Sequence, residues 1–404
     1  MDGFLARAPP LRCGVLLSAR MQVRSLKVQD QNFGEQWFDE IEDRWEYADF
    51  KGDQRWRRGW ISMDCALYHS GQDRVYLGVT SFDSDIFKAY DRATGRFVDL
   101  PTAGVVDEFD AKFHRSLEMG TDGCLYGATA LLHDVDRWFD ARGGSIFRYD
   151  PTADRFERIA TPVPHTYIQS IAIDGDRGLI YCLCFGPERL VAYRLEDGGV
   201  IDYGPIASGI AGMVQGENVC LDDDGCCWSC WQVTRAWQGD PGVDRDRLLK
   251  VDPRLGEQGQ MVHYATGLPR PDGRHGYARI EGLFNLGDDA MYASGGNGSI
   301  YRIDTETGLA THLFTPIEDR PSRLASLVVA ADGYAYGVAG RANRCELLRF
   351  DFRHDRYELL GHIVDEGGEP CWQVHHIVMA DDGTLYACEN DNPRRSGYLW
   401  EIRI

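Results

Sequence analysis

The chain has 404 residues and a formal charge of −20 at neutral pH, and 43% of its residues are hydrophobic. This charge argues against nucleic acid or an anionic membrane surface as a partner, because both would repel the chain at long range. No uninterrupted run of about 18 apolar residues occurs, which excludes a membrane-spanning helix. The 45 glycines, 19 tyrosines and 10 tryptophans favour many short strands joined by tight turns.

The N-terminal segment holds several arginines and one short apolar stretch, residues 14–17, which is too short for the core of a signal peptide. We expect residues 1–20 to be disordered or to precede a true start at Met21, and residues 21–404 to form a single domain. Twelve cysteines occur, mostly inside strand-like segments, which is typical of core thiols in a reducing compartment. The sequence therefore predicts a cytoplasmic monomer.

One short motif, an apolar residue and Asp followed by a turn and an alternating strand, recurs along the chain. Its copies are YDRATGRFVDL from Tyr90, YDPTADRFERI from Tyr149, YRLEDGGVIDY from Tyr193, VDPRLGEQGQMVHY from Val251, IDTETGLATHL from Ile303 and FDFRHDRYELL from Phe350. Asp can cap such a turn through its side chain, and Gly accepts a positive φ. Each copy therefore predicts a strand, a tight turn and a second strand.

A second motif, an apolar strand, an Asp-Gly type turn and a strand carrying Tyr or Trp, alternates with the first. Its copies begin at Cys65, His114, Ser170, Asn218, Gly282, Ser326 and His375. Together the motifs give a repeat of roughly 50 to 60 residues, the spacing of four-stranded propeller blades. We predict an all-β, seven-bladed β-propeller of four-stranded antiparallel blades. Because the seventh blade lacks its fourth strand, we expect a strand from residues 21–60 to join it and close the ring.

In such a ring, a site is expected where loops from neighbouring blades line a funnel at one mouth. The residues there begin the first strand of a blade or follow its second strand. The starting positions are His114, Arg115, Tyr167, Gln169, Glu217, Asn218, Arg279, Glu281, Arg323, His375 and His376. The positions after second strands are Thr129, His133, Arg189, Trp231, Gln232, Arg341, Asn343, Glu389, Asn390 and Asn392. We predict substrate contacts from Tyr167, Gln169, Trp231, Arg279, Arg323, His376 and Asn390.

Four residues carry alternative interpretations as catalysts or as ordinary structural side chains. His114 and His133 can reach one mouth from a single hairpin, and a neutral imidazole suits proton transfer. Tyr181 occupies the aromatic position that recurs in every blade, which fits a core residue as well as a catalyst. Arg189 follows at a turn, where a guanidinium suits a carboxylate or is simply solvated.

Metal binding is a further possibility that the sequence leaves open. Cys220, Cys226, Cys227 and Cys230 include one CxxC, but strand alternation puts its two thiols on opposite faces. The turn at residues 222–225 is acidic but lacks the terminal Glu of a calcium loop. We expect no cofactor to be required for the chemistry, with structural calcium or zinc as an alternative.

The segment from residue 112 to residue 195 resembles the seven-bladed propeller polysaccharide lyases, the group of ulvan lyases and rhamnose–glucuronate lyases. The likeness rests on KFHRSLEMGTDGCLYGAT, a following His, GGSIFRYDPTADRFERI and GLIYCLCFGPERLVAY. It implies catalytic roles for His114, His133, Tyr181 and Arg189. The third blade departs from the pattern with Tyr193-Arg194, so another arginine can be the carboxylate partner.

The resemblance implies β-elimination on a uronic-acid-containing oligosaccharide or polysaccharide. A Tyr of lowered pKa with His would move the proton, and Arg or His would neutralise the uronate carboxylate. The charge of −20 favours a short or sparsely charged glycan. Two alternatives remain: a calcium-dependent propeller lactonase or hydrolase, and a non-catalytic propeller that binds a glycan or a protein. The calcium alternative would use Glu217, Asn218, Glu281, Glu389 and Asn390.

Overall fold

The structure is a computed structural model of the 404-residue chain. It describes residues 21–33, 59–82, 85–130, 137–206, 214–215, 217–233, 246–264, 267–269, 280–296, 298–319 and 322–404. Within these ranges the chain forms strands β1 to β29 and a 3-10 turn, Ser70–Gln72. The fold is therefore all-β, as the alternating apolar patterns predict. None of the described segments forms a helix long and apolar enough to cross a membrane.

Strand β1 (Gln22–Leu26) pairs with the last strand of the chain, and the other strands form antiparallel groups of four or five that we call sheets and number in chain order. Sheets 1 and 2 are joined into one eight-stranded sheet by the pairing of Thr80 with Lys112. Sheet 1 comprises β2 (Ser62–His69), β3 (Arg74–Thr80), β4 (Phe87–Asp91) and β5 (Arg96–Asp99). Sheet 2 comprises β6 (Lys112–Met119), β7 (Leu125–Ala130), β8 (Ile146–Asp150) and β9 (Arg155–Ala160). Sheet 3 comprises β10 (Tyr167–Asp174), β11 (Leu179–Phe185), β12 (Arg189–Arg194) and β13 (Val200–Pro205).

Sheets 4 to 7 continue the same order. Sheet 4 comprises β14 (Val214–Gln215), β15 (Val219–Leu221), β16 (Cys227–Val233), β17 (Asp246–Asp252) and β18 (Gln260–His263), and sheet 5 comprises β19 (Ile280–Asn285), β20 (Met291–Gly295), β21 (Ile300–Ile303) and β22 (Ala310–Phe314). Sheet 6 comprises β23 (Leu324–Val329), β24 (Ala335–Ala339), β25 (Glu346–Asp351) and β26 (Arg356–His362). Sheet 7 comprises β27 (Val374–Met379), β28 (Leu385–Glu389), β29 (Leu399–Arg403) and β1. In sheet 4 the first strand is split into β14 and β15, which both pair with β16.

The hydrophobic core lies in layers between consecutive sheets. Sheets 3 and 4, for example, share a layer that includes Tyr181, Leu190, Cys227 and Leu249. The aromatic position that recurs in the sequence is buried on the second strand of each sheet: Tyr76, Tyr126, Tyr181, Trp228, Tyr292, Tyr336 and Tyr386. These large rings fill the layers, where each buried aromatic contributes heavily to stability.

Tight turns close the strand pairs at the edge away from the candidate site. The side chains of Asp91, Asp150 and Asp304 accept hydrogen bonds from backbone N–H groups two or three residues later, as the first motif predicts. In the second motif, Gly123 adopts a φ of 75°, which favours glycine. The turn chemistry therefore sets the register of each sheet.

Candidate functional site

Near its beginning, the first strand of every sheet loses its regular pairing with the second strand. The register shifts at Met63/Cys65, Phe113/Leu117, Ile168/Ser170, Ile280/Gly282, Leu324/Leu327 and Val374/His376, and in sheet 4 the first strand is interrupted between Gln215 and Val219. Such irregularities take residues out of the ladder and redirect their side chains. Asp64, His114, Arg115, Gln169, Glu281 and His375 lie within these shifts, and Glu217 and Asn218 lie in the interruption of sheet 4. Together with the adjacent Arg323 and His376 they form a set that we call the bulge cluster.

Arg115 connects sheet 2 to sheets on the other side of the cluster. Its Nη1 donates to Asn218 Oδ1 at 2.9 Å and to the carbonyl oxygen of Ala325 at 3.2 Å. Its Nη2 lies 4.0 Å from Glu217 Oε2 and 3.6 Å from Glu281 Oε2. The side chain is 8% exposed, and the backbone takes a left-handed φ of 42°. One guanidinium therefore contacts residues of sheets 4, 5 and 6.

Arg323 is the second guanidinium of the cluster. Its Nε lies 2.8 Å from Glu281 Oε2, the same oxygen that lies nearest to Arg115 Nη2. Burial by itself would lower the pKa of Arg323, but the Glu281 carboxylate raises it. Two arginines and two glutamates thus meet with nearly balanced charge in a largely dry place, where charge interactions are stronger than in water.

The hydrogen bonds of two histidines fix which ring nitrogen carries the proton. His114 Nδ1 lies 3.0 Å from the Gln169 carbonyl oxygen, and His375 Nδ1 lies 2.5 Å from that of Asp64. A carbonyl oxygen only accepts, so both Nδ1 atoms donate and each neutral ring keeps a lone pair on Nε2. The two ring centroids are 5.0 Å apart. His114 and His375 therefore form a pair of imidazoles with the tautomer that a general base needs.

His376 has the opposite tautomer, with the proton on Nε2, and its pKa is affected by the Arg115 guanidinium. Its Nδ1 accepts a hydrogen bond from the Ala66 N–H at 3.3 Å. Burial, followed by the nearby Arg115 charge, lowers the pKa of His376 to about 4. The same two causes lower the pKa of His375 well below its usual value. Both rings are therefore neutral at neutral pH.

Asp64 is a member of the cluster that the sequence did not indicate. Burial raises the pKa of its carboxyl group to about 6, against the opposing effect of Lys112. The Thr80 and Ser62 hydroxyls donate to the carboxylate. Asp64 directly precedes the first copy of the second motif, the weakest of the seven, and only comparison with the residues before the other copies could have found it.

The four residues with implied catalytic roles do not gather at one place among the described residues. His114 belongs to the bulge cluster, and His133 lies outside the described residues. Arg189, at the start of β12, pairs with Asp202 of the neighbouring strand β13. Tyr181 is fully buried in the layer between sheets 3 and 4, and burial raises its pKa. Burial at this position therefore acts against the lowered pKa that the resemblance implies for a catalytic tyrosine.

The predicted substrate contacts are also divided. Gln169, Arg323 and His376 belong to the cluster, whereas Arg279 lies outside the described residues. Tyr167 stacks among aromatic side chains beside it. Trp231 packs against the core layer of sheets 3 and 4, and Asn390 donates to Asp391 Oδ2 at 3.2 Å.

The proposed metal ligands do not form a metal site. Glu389 is taken up by Arg395 Nη1 at 2.6 Å, and Glu217 and Glu281 face Arg115. Among the described residues no group of three or more His, Cys, Asp or Glu side chains is placed to hold a metal ion. The cysteines there are free thiols, and Cys227 and Cys230 lie in different core layers, on opposite faces of β16 as alternation predicts.

No family model matches the sequence, and no curated protein matches it either. The chain is similar to the solved extracellular domain of BT4673 from B. thetaiotaomicron, at 13% identity and a TM-score of 0.57 over 87% of this chain. It spans 38% of the length of that structure. It is also similar to U3-55K and to the WD40 repeats of RRP9, each at 11% identity and a TM-score of 0.56, covering 95% and 94% of this chain and 98% and 97% of those structures. At such identities the likeness shows the fold alone, an all-β arrangement of the propeller kind.

Proposed function

We infer that sheets 1 to 7 are the blades of one ring, closed by β1. Two observations support this: β1 lies antiparallel to β29 as the outer strand of sheet 7, and β27 of sheet 7 contacts β2 of sheet 1. Val23 of β1 is buried in the layer between sheets 6 and 7, whereas Gln22 is exposed. Val23→Asp should lower the free energy of unfolding by about 3 kcal/mol and Gln22→Asp by little. Equal, small effects in denaturant titrations would contradict closure by this strand.

We propose that the bulge cluster cleaves a uronate-containing oligosaccharide by β-elimination. The observation that carries this proposal is an imidazole followed directly in the chain by a guanidinium: His114 Nδ1 faces a carbonyl oxygen, so the neutral ring has its lone pair on Nε2, and the next residue is Arg115. A uronate carboxylate at Arg115 would place the neighbouring carbon near the imidazole. The positive charge then stabilises the enolate-like intermediate, which is the electrostatic part of such catalysis.

The elimination step balances with His114 alone. Its Nε2 lone pair takes the proton from the carbon next to the carboxylate, and the electrons of that C–H bond become the new carbon–carbon double bond. The bond to the leaving oxygen breaks, and the imidazolium returns its proton to that oxygen. The lowered pKa of His375 and His376 keeps these two rings neutral, so they add hydrogen-bonding groups without adding charge.

A substrate carboxylate at Arg115 would compete with two glutamates at long distances. The distances of 3.6 Å and 4.0 Å to Glu281 and Glu217 exceed the usual hydrogen-bond range. A bidentate carboxylate would gain stronger, charge-assisted bonds. The two glutamates limit the net positive charge of the cluster, which favours a glycan with one isolated uronate over a dense polyanion.

A panel of uronic-acid oligosaccharides, followed by the ultraviolet absorbance of the unsaturated product, tests the proposal. His114→Ala should remove turnover, while His263→Ala, on an exposed histidine of β18, should leave it unchanged. Binding by calorimetry without product formation across the panel would favour the non-catalytic glycan-binding alternative. Full turnover in His114→Ala would overturn the role of His114. If the unmodified protein shows no turnover and no binding, both the elimination function and the glycan-binding alternative are overturned.

A further inference from the structure

A group of aromatic side chains lies beside the bulge cluster, at the same ends of sheets 2 and 3. It is built from the connection before β6, the connection before β8, the start of β10 and the end of β11. We call it the aromatic shelf: Phe109, Trp138, Phe139, Tyr167 and Phe185. The Trp138 and Tyr167 ring centroids are 4.8 Å apart, and those of Tyr167 and Phe185 are 5.8 Å apart.

Among the described residues, one ring of the shelf packs closely on the backbone and another is largely exposed. A Cβ atom at Gly186 would lie 2.5 Å from Trp138 Cη2, so Trp138 packs directly on this glycine. Phe139, the next residue, is 80% exposed, and its ring lies edge-on to the His165 ring with a centroid distance of 5.5 Å. Exposed aromatic surface of this kind, with ordered rings beneath it, is typical of a binding site.

The polar groups around the shelf neutralise each other. Arg137 lies over the Phe109 ring at 4.7 Å and pairs with Glu108 at 3.1 Å, and Arg142 pairs with Asp107 at 2.6 Å. The shelf therefore offers apolar ring faces with balanced charges and many hydrogen-bonding groups at its margin. This combination suits a neutral sugar ring, whose C–H face is apolar and whose edge carries hydroxyl groups.

The position of the shelf relates it to the bulge cluster. Tyr167 is two residues before Gln169 on β10, and Trp138 is one ring further away, so the shelf lies roughly 10 Å from the cluster. A disaccharide whose uronate occupies the cluster would not span this distance. We propose that the aromatic shelf binds a neutral pyranose ring of a longer oligosaccharide, two units from the uronate that is cleaved. This inference rests on the proposed function of the cluster.

The test compares a disaccharide of one uronate and one neutral sugar with a tetrasaccharide that carries the same single uronate and three neutral sugars. Trp138→Ala should lower kcat/KM for the tetrasaccharide by about tenfold, because the stacking contact with the distant ring is lost, and this change corresponds to about 1.4 kcal/mol. It should leave kcat/KM for the disaccharide within about twofold. Gly186→Ala should act in the same direction, because it displaces Trp138 without removing it. Tyr357→Ala, on an exposed aromatic of β26, is the matched control and should change neither.

The outcomes separate the two proposals. Equal losses for both substrates, or no loss for the tetrasaccharide, would overturn the shelf as a sugar site. If neither saccharide is cleaved, the elimination function fails, and calorimetry then decides about the shelf. Tighter binding of the tetrasaccharide that Trp138→Ala removes would support the shelf without the chemistry. Binding of neither saccharide to the unmodified protein would overturn the shelf as well.

Discussion

Two arginine–glutamate groups in this protein consist of the same residue types but differ in how closely the charges pair. In sheet 7, Glu389 is fully buried and receives Arg395 Nη1 at 2.6 Å and Nη2 at 3.0 Å, together with backbone N–H groups of Trp372 and Tyr398 at 2.7 Å and 2.9 Å. These partners all lie between residues 369 and 400. The carboxylate is saturated with short hydrogen bonds from one sheet and its connections, and we interpret it as a structural lock.

The group around Arg115 has longer distances and partners from several sheets. Arg115 lies 3.6 Å from Glu281 and 4.0 Å from Glu217, and the two carboxylates come from different sheets. The structural lock stabilises the fold through many hydrogen bonds within one sheet and its connections. The group around Arg115 brings side chains from several sheets together, and its long ion pairs could be replaced by a substrate carboxylate. The comparison explains why Glu389, which the sequence suggested as a calcium ligand, is occupied by Arg395.

The largest effect is expected from breaking the lock. Glu389→Gln leaves the buried Arg395 guanidinium without its buried carboxylate partner, which should lower the free energy of unfolding by about 3 to 5 kcal/mol. Glu369→Gln removes the half-exposed partner of the same arginine and should cost less than about 1 kcal/mol. Denaturant titrations of both variants measure the difference. Similar small losses would mean that Glu389 is not a lock.

Arg115→Ala should separate function from stability. We expect turnover or glycan affinity to fall by about a hundredfold, because the proposed carboxylate partner is lost. The free energy of unfolding should fall by only about 1 to 2 kcal/mol, since Arg323 still faces Glu281. Arg115→Lys keeps the charge but cannot bond Asn218 and Ala325 together, so its activity should be intermediate. A stability loss as large as that of Glu389→Gln, with unchanged activity, would reverse the comparison.

The pH dependence of stability gives a smaller signal from the same group. The pKa of His376 is lowered to about 4, so between its ordinary value near 6.5 and about 4 the unfolded chain binds the proton and the folded chain does not. Stability from this residue therefore decreases as the pH falls through that window. His376→Gln should remove a decrease of about 3 kcal/mol at the acid end. Thermal unfolding at several pH values would show parallel curves for variant and parent if this is wrong.

Much of the fold could be predicted from the sequence because its repeat is a local pattern. Each Asp turn and each buried aromatic, such as Asp150 or Tyr126, corresponds to a recognisable sequence pattern of a few residues. The register shifts also lie at the starts of first strands, where the sequence predicts site residues, so the sequence identifies His114, Gln169 and Glu281 as candidates. Their partners could not be predicted, because Arg115 reaches residues 103 and 210 positions away and only the packed sheets bring these together.

Tyr181 is expected to give the smallest effect and to define where the site ends. It lies in the core layer of sheets 3 and 4 and stacks on Tyr203 at 6.2 Å, and burial raises its pKa, so the phenol keeps its proton. Tyr181→Phe retains the ring and should change turnover by less than about twofold and stability by less than about 1 kcal/mol. Tyr181→Ala, which leaves a cavity, should cost about 3 to 5 kcal/mol. Loss of turnover in Tyr181→Phe with unchanged stability would restore the catalytic tyrosine that the lyase resemblance implies, and the base assigned to His114 would then have to share its role.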